Sequence, residues 1–414
     1  MSLVTVAGTE RILGDGAAPR RSLRILAIVP SGFCFGLQDL TLAFFAQLPP
    51  DINSHFLGTR WTDGEFDRRL DGLGIPHSAT WLGMFSRKVD SRNLRMTLES
   101  LRKLPIAWRD LLRQWSSFRP DVIYLANHHE AILLSPILFW LRRRVVCHMH
   151  DPPPPIRFQR FSFFIWRRTI GRFLFVSESV RRRMAKLGRL KPGDAVIHNG
   201  VRIGQLDWPR QRTNRFREQF NWPDEVVIFG ITGQINVNKG HYEFLLAAAE
   251  AVRENARFRF VVGGKGEEIF VAELKRKADL LGLTDLVGFC GWLPHASEFY
   301  GGIDVLILAS RHDEGFGLVV AEAGERGIPV ITTRSGGAVE VVVDNETGIL
   351  VRKQDPSALG SAMARLGNDG DLRIAMGGRA RDHISRHFNL EKQVDKFTDF
   401  LARTTNVWTR PPAG

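Results

Sequence analysis

Short apolar runs, set apart by loops and helical patterns, recur along this chain and limit what it can become. The first is Arg24 to Pro30, which enters a loop with glycines at Gly32 and Gly36 and then an apolar helical spacing through Leu40, Ala43 and Phe44. Similar runs follow at Val122 to Leu125, Val145 to His148, Phe173 to Val176 and Val196 to Val201. Near-continuous apolar strands of this length are those of a parallel sheet with helices on both faces. A second series begins after residue 225: Val226 to Thr232, Phe258 to Val262, Leu286 to Phe289, Val305 to Leu308, Pro329 to Thr332 and Gly348 to Val351. Helical stretches at His241 to Arg253, Ile269 to Leu281 and Leu318 to Arg326 separate these strands.

Two such series imply an α/β chain of two Rossmann-like domains facing each other across a cleft. In such sheets ligands sit outside the carboxyl ends of the strands. The length of 414 residues agrees, being more than one core usually supports. The expected division is a loose N-terminal tail (1–22), a first domain (23–204), a second domain (205–384) and a C-terminal helix and tail (385–414) that cross back to the first. Polar, Arg- and Asn-rich sequence from Gly204 to Pro223 reads as the bridge.

Charge separates the two halves. Residues 1–200 carry thirty Lys and Arg against sixteen Asp and Glu, a net +14, whereas residues 201–414 carry −1. The halves are therefore expected to meet different partners. Three scattered cysteines, Cys34, Cys147 and Cys290, form no CxxC pair and argue against a disulfide scaffold or a cysteine zinc site. No apolar window approaches a membrane span, and the start has no apolar signal core, so a cytoplasmic location is the expectation.

Chemistry concentrates between Ile307 and Glu322. Glu314, Gly315, Phe316 and Gly317 stand between a buried strand and the helix that begins near Leu318. Unpaired amides at a helix start, approached closely through glycines, suit phosphates or hydroxyls. Glu314 on the loop and Glu322 on the helix are carboxylates able to hold vicinal sugar hydroxyls. Lys239, after the Gly233 turn and before a helix, is placed for phosphate. The cluster Gly263 to Gly266 lacks the GxGxxG spacing of a dinucleotide fingerprint. His148 and His150 share one face of a strand, but no third metal ligand is evident.

Together these elements resemble glycosyltransferase family 4, a family of retaining transferases with the two-Rossmann GT-B architecture. Its pattern of Glu, seven residues, Glu, with Gly-Phe-Gly after the first, is matched by Glu314 to Glu322. Further matches follow in order: Gly233, Lys239 and Gly240, Gly263 to Gly266, Gly291 to Pro294, Gly327 to Val330, Gly336 and Gly337, Glu340, and Thr347 to Val351. The resemblance covers residues 226–351 fully and the rest more loosely.

It implies a hexosyl transfer from a nucleotide-diphosphate sugar to a glycan or lipid-linked acceptor, without a metal or other cofactor. Glu314 would contact the donor hexose, Glu322 the ribose, the amides of Phe316 and Gly317 sugar hydroxyls or phosphate, and Lys239 the diphosphate. Gly264, Leu318 and Trp292 would complete the donor site, with Trp292 framing the base. His150 would hydrogen-bond the reacting hexose, and Asp151, Arg157 and Gly32 would stand on the acceptor side, with Gly36 close to the diphosphate. One departure concerns Gln234, where the family usually has an arginine sharing the diphosphate. Retention is expected through same-face attack rather than through Glu314 as nucleophile. An epimerase, a phosphorylase-type enzyme or a non-catalytic nucleotide-sugar-binding protein remain alternatives on the same scaffold.

Arg157, Arg160, Arg167, Arg168 and Arg172 interleave with Phe158, Phe161, Phe163, Phe164 and Trp166. Basic and aromatic residues so mixed are expected to suit an anionic membrane surface. They carry no nucleic-acid-binding motif, so no nucleic-acid partner is expected.

Overall fold

The computed structural model describes residues 22–29, 36–82, 91–151, 159–204, 213–293 and 295–405. Gly32 and Arg157 lie outside them.

The first sheet is formed by β1 (Leu23–Ile28), β2 (Ile52–Thr59), β3 (His77–Thr80), β4 (Val122–Leu125), β5 (Val145–Met149), β6 (Arg172–Phe175) and β7 (Ala195–Val196), in the order β3-β2-β1-β4-β5-β6-β7. The second contains β8 (Val227–Ile235), β9 (Phe258–Gly266), β10 (Val287–Gly291), β11 (Val305–Leu308), β12 (Val330–Thr333) and β13 (Gly348–Val351), in the order β10-β9-β8-β11-β12-β13. Every pairing within both sheets is parallel. The strand order reverses on either side of β1 and of β8, and those switch points open the crevice used by doubly wound sheets. The expected pair of Rossmann-like domains is therefore the observed architecture.

The apolar runs fold this way because helices cover both of their faces. Leu26, Ile28, Ile123, Leu125, Phe173 and Phe175 are fully buried on one side of the first sheet, and Ile25, Ala27, Val122, Tyr124 and Leu174 on the other. Phe229, Ile231, Phe260, Val262, Val305 and Ile307 occupy the equivalent interior of the second.

The C-terminal helical stretch is divided in two. Helix Gly370–His387 stays with the second domain, where Gly377 lies so close to the backbone of Gly327 that a Cβ would sit 1.9 Å from its carbonyl oxygen. Phe388 and Asn389 break the helix, and their backbone pairs with Val201: the Val201 amide donates to the Phe388 carbonyl at 2.8 Å and the Leu390 amide to the Val201 carbonyl at 2.9 Å. Helix Leu390–Thr405 then buries Val394, Phe397 and Leu401 in the core of the first domain. Phe397 meets Phe44, Phe45 and Tyr124 with ring centroids about 6 Å apart. Three buried side chains of this size contribute roughly 1.5–3 kcal/mol each, which fastens the returning helix.

Part of the bridge is packed onto the second domain. Residues 215–219 form a short helix whose Phe216 packs beneath Gly302, while Phe220 packs against Gly288. The Arg217 guanidinium donates to the carbonyls of Asp224 and Val226. The polar residues of this stretch thus frame a small aromatic anchor that belongs to the second domain.

Candidate active site in the interdomain cleft

The second-domain wall is built from the carboxyl ends of β8 and β11. At the end of β8, Gly233 has φ 129°, and Gly264 of β9 has φ 125°. A Cβ on Gly264 would lie 1.7 Å from the Gly233 carbonyl oxygen, so this pair of glycines allows the two strand ends to touch. Gly264 is held there by backbone packing. Gln234 is exposed, and its side-chain carbonyl accepts from Asn236 at 3.1 Å. Asn236 in turn caps the turn Val237–Lys239 by accepting the amides of Asn238 and Lys239.

That turn aims Lys239. Its Nζ donates to both carboxylate oxygens of Glu314 at 2.9 Å, and Ser310 Oγ also donates to Glu314. Gly240 fixes the position: its φ is 76°, and a Cβ would lie 1.9 Å from the Ala309 carbonyl oxygen. Only a residue without a side chain lets helix His241–Glu254 start against the end of β11.

Gly317, at φ 89°, precedes helix Leu318–Glu325, and Gly336, at φ 55°, lies against the Glu314 backbone. The Gly337 amide donates to the Glu314 carbonyl at 2.8 Å. Phe316 turns its ring inward onto His198 and Phe388, leaving its backbone on the loop. Glu322 faces Tyr300, whose hydroxyl donates to Oε2 at 2.6 Å. Burial raises the Glu322 carboxyl above its ordinary range, opposed by the Tyr300 hydrogen bond and the charge of Arg326. Trp292 follows β10 and is 57% exposed.

The first-domain wall is less charged. His150 follows β5, and its ring centroid lies 4.1 Å from that of His148. Burial pushes the His150 imidazole down to about 3, so it is neutral at ordinary pH. Its Nε2 is buried with no hydrogen-bond partner among the described residues, as is Nε2 of His148. His148 Nδ1 meets the Tyr124 hydroxyl at 2.8 Å. Asp151 reaches solvent, yet the cleft walls raise its carboxyl, first by desolvation and then through the Glu314 charge, with Lys239 opposing.

The two walls meet at Gly315. A Cβ there would lie 1.8 Å from the His150 carbonyl oxygen and 3.2 Å from Asp151 Oδ1. His150, Asp151, Lys239, Glu314 and Gly315 are thus brought together, and Phe316, Gly317, Leu318 and Glu322 continue from them along one loop and helix. Gly36 opens helix Gly36–Phe45, exposed and without a near neighbour among the described residues.

Several participants escaped the sequence reading. Glu340 entered it only as a motif member, but it reaches across the cleft. Its carboxylate accepts the Glu178 amide at 2.9 Å and the Ser179 amide at 2.7 Å, and it pairs with His198 Nε2 at 3.0 Å. Burial alone would raise its carboxyl; His198 and the two amides outweigh that and hold it below its ordinary value. Asp313 likewise takes Lys353 from its own domain and Arg183, at 3.2 Å, from the other. Glu130, after β4, is buried with Oε2 unpartnered among the described residues, and burial pushes its carboxyl up to about 8. An acidic residue just before the apolar run Ala131 to Leu134 was the available signal. Among the described residues no group of three His, Cys, Asp or Glu is placed to hold a metal, and no described helix is long and apolar enough to cross a membrane.

Residues 65–205 match the model of "Glycosyltransferase Family 4" and residues 212–383 that of "Glycosyl transferases group 1". The chain is 32% identical over 214 residues to a D-inositol 3-phosphate glycosyltransferase of Corynebacterium jeikeium, covering 49% of this chain and 50% of that protein. It is 27% identical over 233 residues to the lipopolysaccharide core biosynthesis glycosyltransferase LpsE of Rhizobium meliloti, covering 52% and 66% respectively. The chain spans about half the length of the inositol 3-phosphate glycosyltransferases it matches. Among solved structures, Anabaena HepE in complex with UDP-glucose superposes with a TM-score of 0.76 at 19% identity, over 92% of this chain and 100% of that one. Sucrose-phosphate synthase from Thermosynechococcus elongatus gives 0.71 at 18%, over 93% and 100%. These likenesses carry the fold across nearly the whole chain. The two family models thus lie in tandem on the two domains, and the fold is the GT-B-like architecture of these structural neighbours.

Proposed function

We propose that the protein is a retaining glycosyltransferase that moves a hexosyl unit from a nucleotide-diphosphate sugar to a glycan or lipid-linked acceptor. The observation that carries this reading is Lys239 Nζ, held 2.9 Å from both oxygens of Glu314 where the two domains meet. A donor diphosphate would draw Lys239 away from Glu314. The carboxylate would then be free to accept hydroxyls of the hexose. The ammonium would stabilise the charge that grows on the leaving nucleotide, commonly the largest catalytic contribution.

The amides of Phe316 and Gly317 would hold the remaining phosphate charge, and Glu322 the ribose hydroxyls through the oxygen that Tyr300 leaves open. His150, kept neutral by burial, suits a hydrogen bond to the hexose rather than an ionic contact. Retention would follow same-face attack, with the departing diphosphate taking the acceptor proton, and the lysine and amides supply the electrostatics without a metal. Asp151 would face the acceptor. The names of the relatives, which include polysaccharide and lipopolysaccharide enzymes, support a glycan or lipid-linked acceptor. A lipid-linked acceptor would in turn require a working position at the cytoplasmic face of a membrane.

Incubation with a panel of UDP-, GDP- and ADP-sugars without acceptor tests the assignment. Slow release of free nucleotide and sugar is expected from one donor. An isomerised donor would assign the protein to the epimerases. Formation of a sugar phosphate only when inorganic phosphate is added would assign it to the phosphorylases. Donor binding that survives loss of both Lys239 and Glu314, with no turnover on glycan or lipid extracts, would make it a binding protein.

A further inference from the structure

On the outer side of the first domain, one face of helix Gln159–Thr169 and the segment preceding β7 border an open cavity of about 600 Å³. The helix runs back from the carboxyl end of β5 to the amino end of β6. At 1.5 Å per residue it covers about 16 Å. Its residues Arg160, Phe163, Phe164, Arg167 and Arg168 fall at i, i+3, i+4, i+7 and i+8, a single face. Arg189 and Lys191 close the cavity from the other side.

Five cationic side chains therefore line one concavity, and the acid paired with Arg167 is Asp194. Asp194 is already engaged: it accepts the amides of Phe173 and Lys191 as well as Arg167 Nη1 at 3.2 Å. Arg167 is largely buried, and its Nη2 has no hydrogen-bond partner among the described residues. A buried guanidinium N–H without an acceptor adds to the uncompensated positive charge beside the cavity. Crowding by like charge is also felt at Lys191, whose ammonium is lowered by desolvation and then by Arg167, with Arg172 and Arg142 adding to it and Asp194 opposing.

The rim is apolar and faces outward. Phe161 is 63% exposed and Phe164 50%, with the Arg168 guanidinium stacked 3.3 Å above the Phe164 ring. Aromatic rings beside cations on one exposed surface are the pattern of an interface with headgroups, where rings enter the acyl boundary and cations take phosphate.

We propose that this cavity is a binding site for the phosphate of an anionic phospholipid headgroup, with Arg160, Arg167, Arg168, Arg189 and Lys191 around the phosphate and Phe161 and Phe164 in the interface. The site rests on the membrane position given under the proposed function and supplies a specific anchor for it. The Arg189 to Pro192 side of the cavity precedes the amino end of β7, away from the carboxyl strand ends that form the cleft.

Co-sedimentation of the full chain with vesicles of phosphatidylcholine containing phosphatidylglycerol, against phosphatidylcholine alone, tests this. The wild type is expected to partition onto the anionic vesicles. The exposed-site variant Arg160→Gln/Arg168→Gln/Arg189→Gln should lose about a hundredfold in partition coefficient, as three basic residues at the surface imply. Arg102→Gln/Arg113→Gln/Arg182→Gln removes the same charge from exposed positions elsewhere in the first domain and should lose less than tenfold. Equal losses would reduce the cavity to part of a diffuse basic surface and overturn the proposal. So would a wild type that ignores anionic vesicles, or one that instead retards single-stranded RNA with the same arginines. Affinity for the preferred nucleotide sugar, measured on the same variants, should be unchanged. Absence of donor binding in every variant, with vesicle binding intact, would count against the transferase reading and leave this site standing.

Discussion

The two walls of the cleft are made differently. The second-domain wall is charged and fixed by backbone: Lys239, Glu314 and Ser310 form one hydrogen-bonded group, and glycines at 240, 264, 315, 336 and 337 let main chain press on main chain. The first-domain wall is a set of ionisable groups that burial keeps uncharged, with His150 and His148 pushed down and Glu130 pushed up. Placing fixed charge opposite neutral polar groups in one cleft suits a substrate that is anionic at one end and carries hydroxyls at the other.

The largest test of that contrast removes the charge. Lys239→Met leaves Glu314 facing the cleft with Ser310 as its remaining side-chain donor, and turnover is expected to fall about 10²–10³-fold, the cost of losing one well-aimed electrostatic group. Steady-state kinetics with the preferred donor measure it. A loss below tenfold would show that charge on the second-domain wall is not what the cleft depends on.

The second test separates the walls. Gly315→Ala puts a methyl 1.8 Å from the His150 carbonyl oxygen, so the loop and the end of β5 must move apart. Misplacement near 1 Å costs about a hundredfold in positioned reactions. Turnover should fall by up to that amount, with helical content by circular dichroism unchanged. Retained activity would mean that the walls part freely and that their contact does not position anything.

The third sharpens the neutral side. With its carboxyl raised to about 8, Glu130 is protonated in the fold over a range where the unfolded chain has released the proton. Native protein then binds more protons than unfolded protein between about 4.5 and 8. Stability should decline as pH rises through that window, with a slope approaching about 1.4 kcal/mol per pH unit, and level off above it. Glu130→Gln should abolish this contribution to the slope and gain on the wild type as pH rises, read from denaturant melts at pH 5 to 9. Parallel wild-type and variant curves would mean that Glu130 is ionised in the fold.

The contrast also explains how much was legible beforehand. The second-domain strands and the 314–322 loop were readable because β8, β9, β11 and β12 each contain a buried apolar run and their ends or loops carry glycines where backbone must touch backbone. On the first side, β2 and β3 passed unnoticed. β2 contains Asn53, Ser54 and His55, and β3 is His77-Ser-Ala-Thr80 at the sheet edge, half-buried except at Thr80. Neither offers an apolar run, and both become strands through pairing with β1 and its neighbours. The neutral state of His150 was equally invisible, because burial by residues distant in sequence sets it. Glu340 was visible as a letter in a motif, but its partners lie 142 to 162 residues earlier.

Glu340 supplies the smallest test, and the one that bears on how the walls are held in register. Its carboxylate caps helix Glu178–Ala185 from the opposite domain, although Ser177 already accepts the Val180 amide within the first. A cap of this kind, strengthened by the helix dipole, contributes about 1 kcal/mol. Glu340→Gln keeps the shape and removes the charge, so a loss of about 1 kcal/mol at neutral pH is expected in denaturant melts. The pH dependence gives the sign independently. Because the folded carboxyl lies below its unfolded value of 4.5, its stabilisation is fully present above that pH and is lost as pH falls through the folded value. The wild type and Glu340→Gln should therefore differ at pH 7 and converge in acid. A constant offset at all pH values would assign the loss to packing of the side chain, and the two domains would then be aligned by the Gly315 contact and the returning helix Leu390–Thr405 without help from a charged clasp.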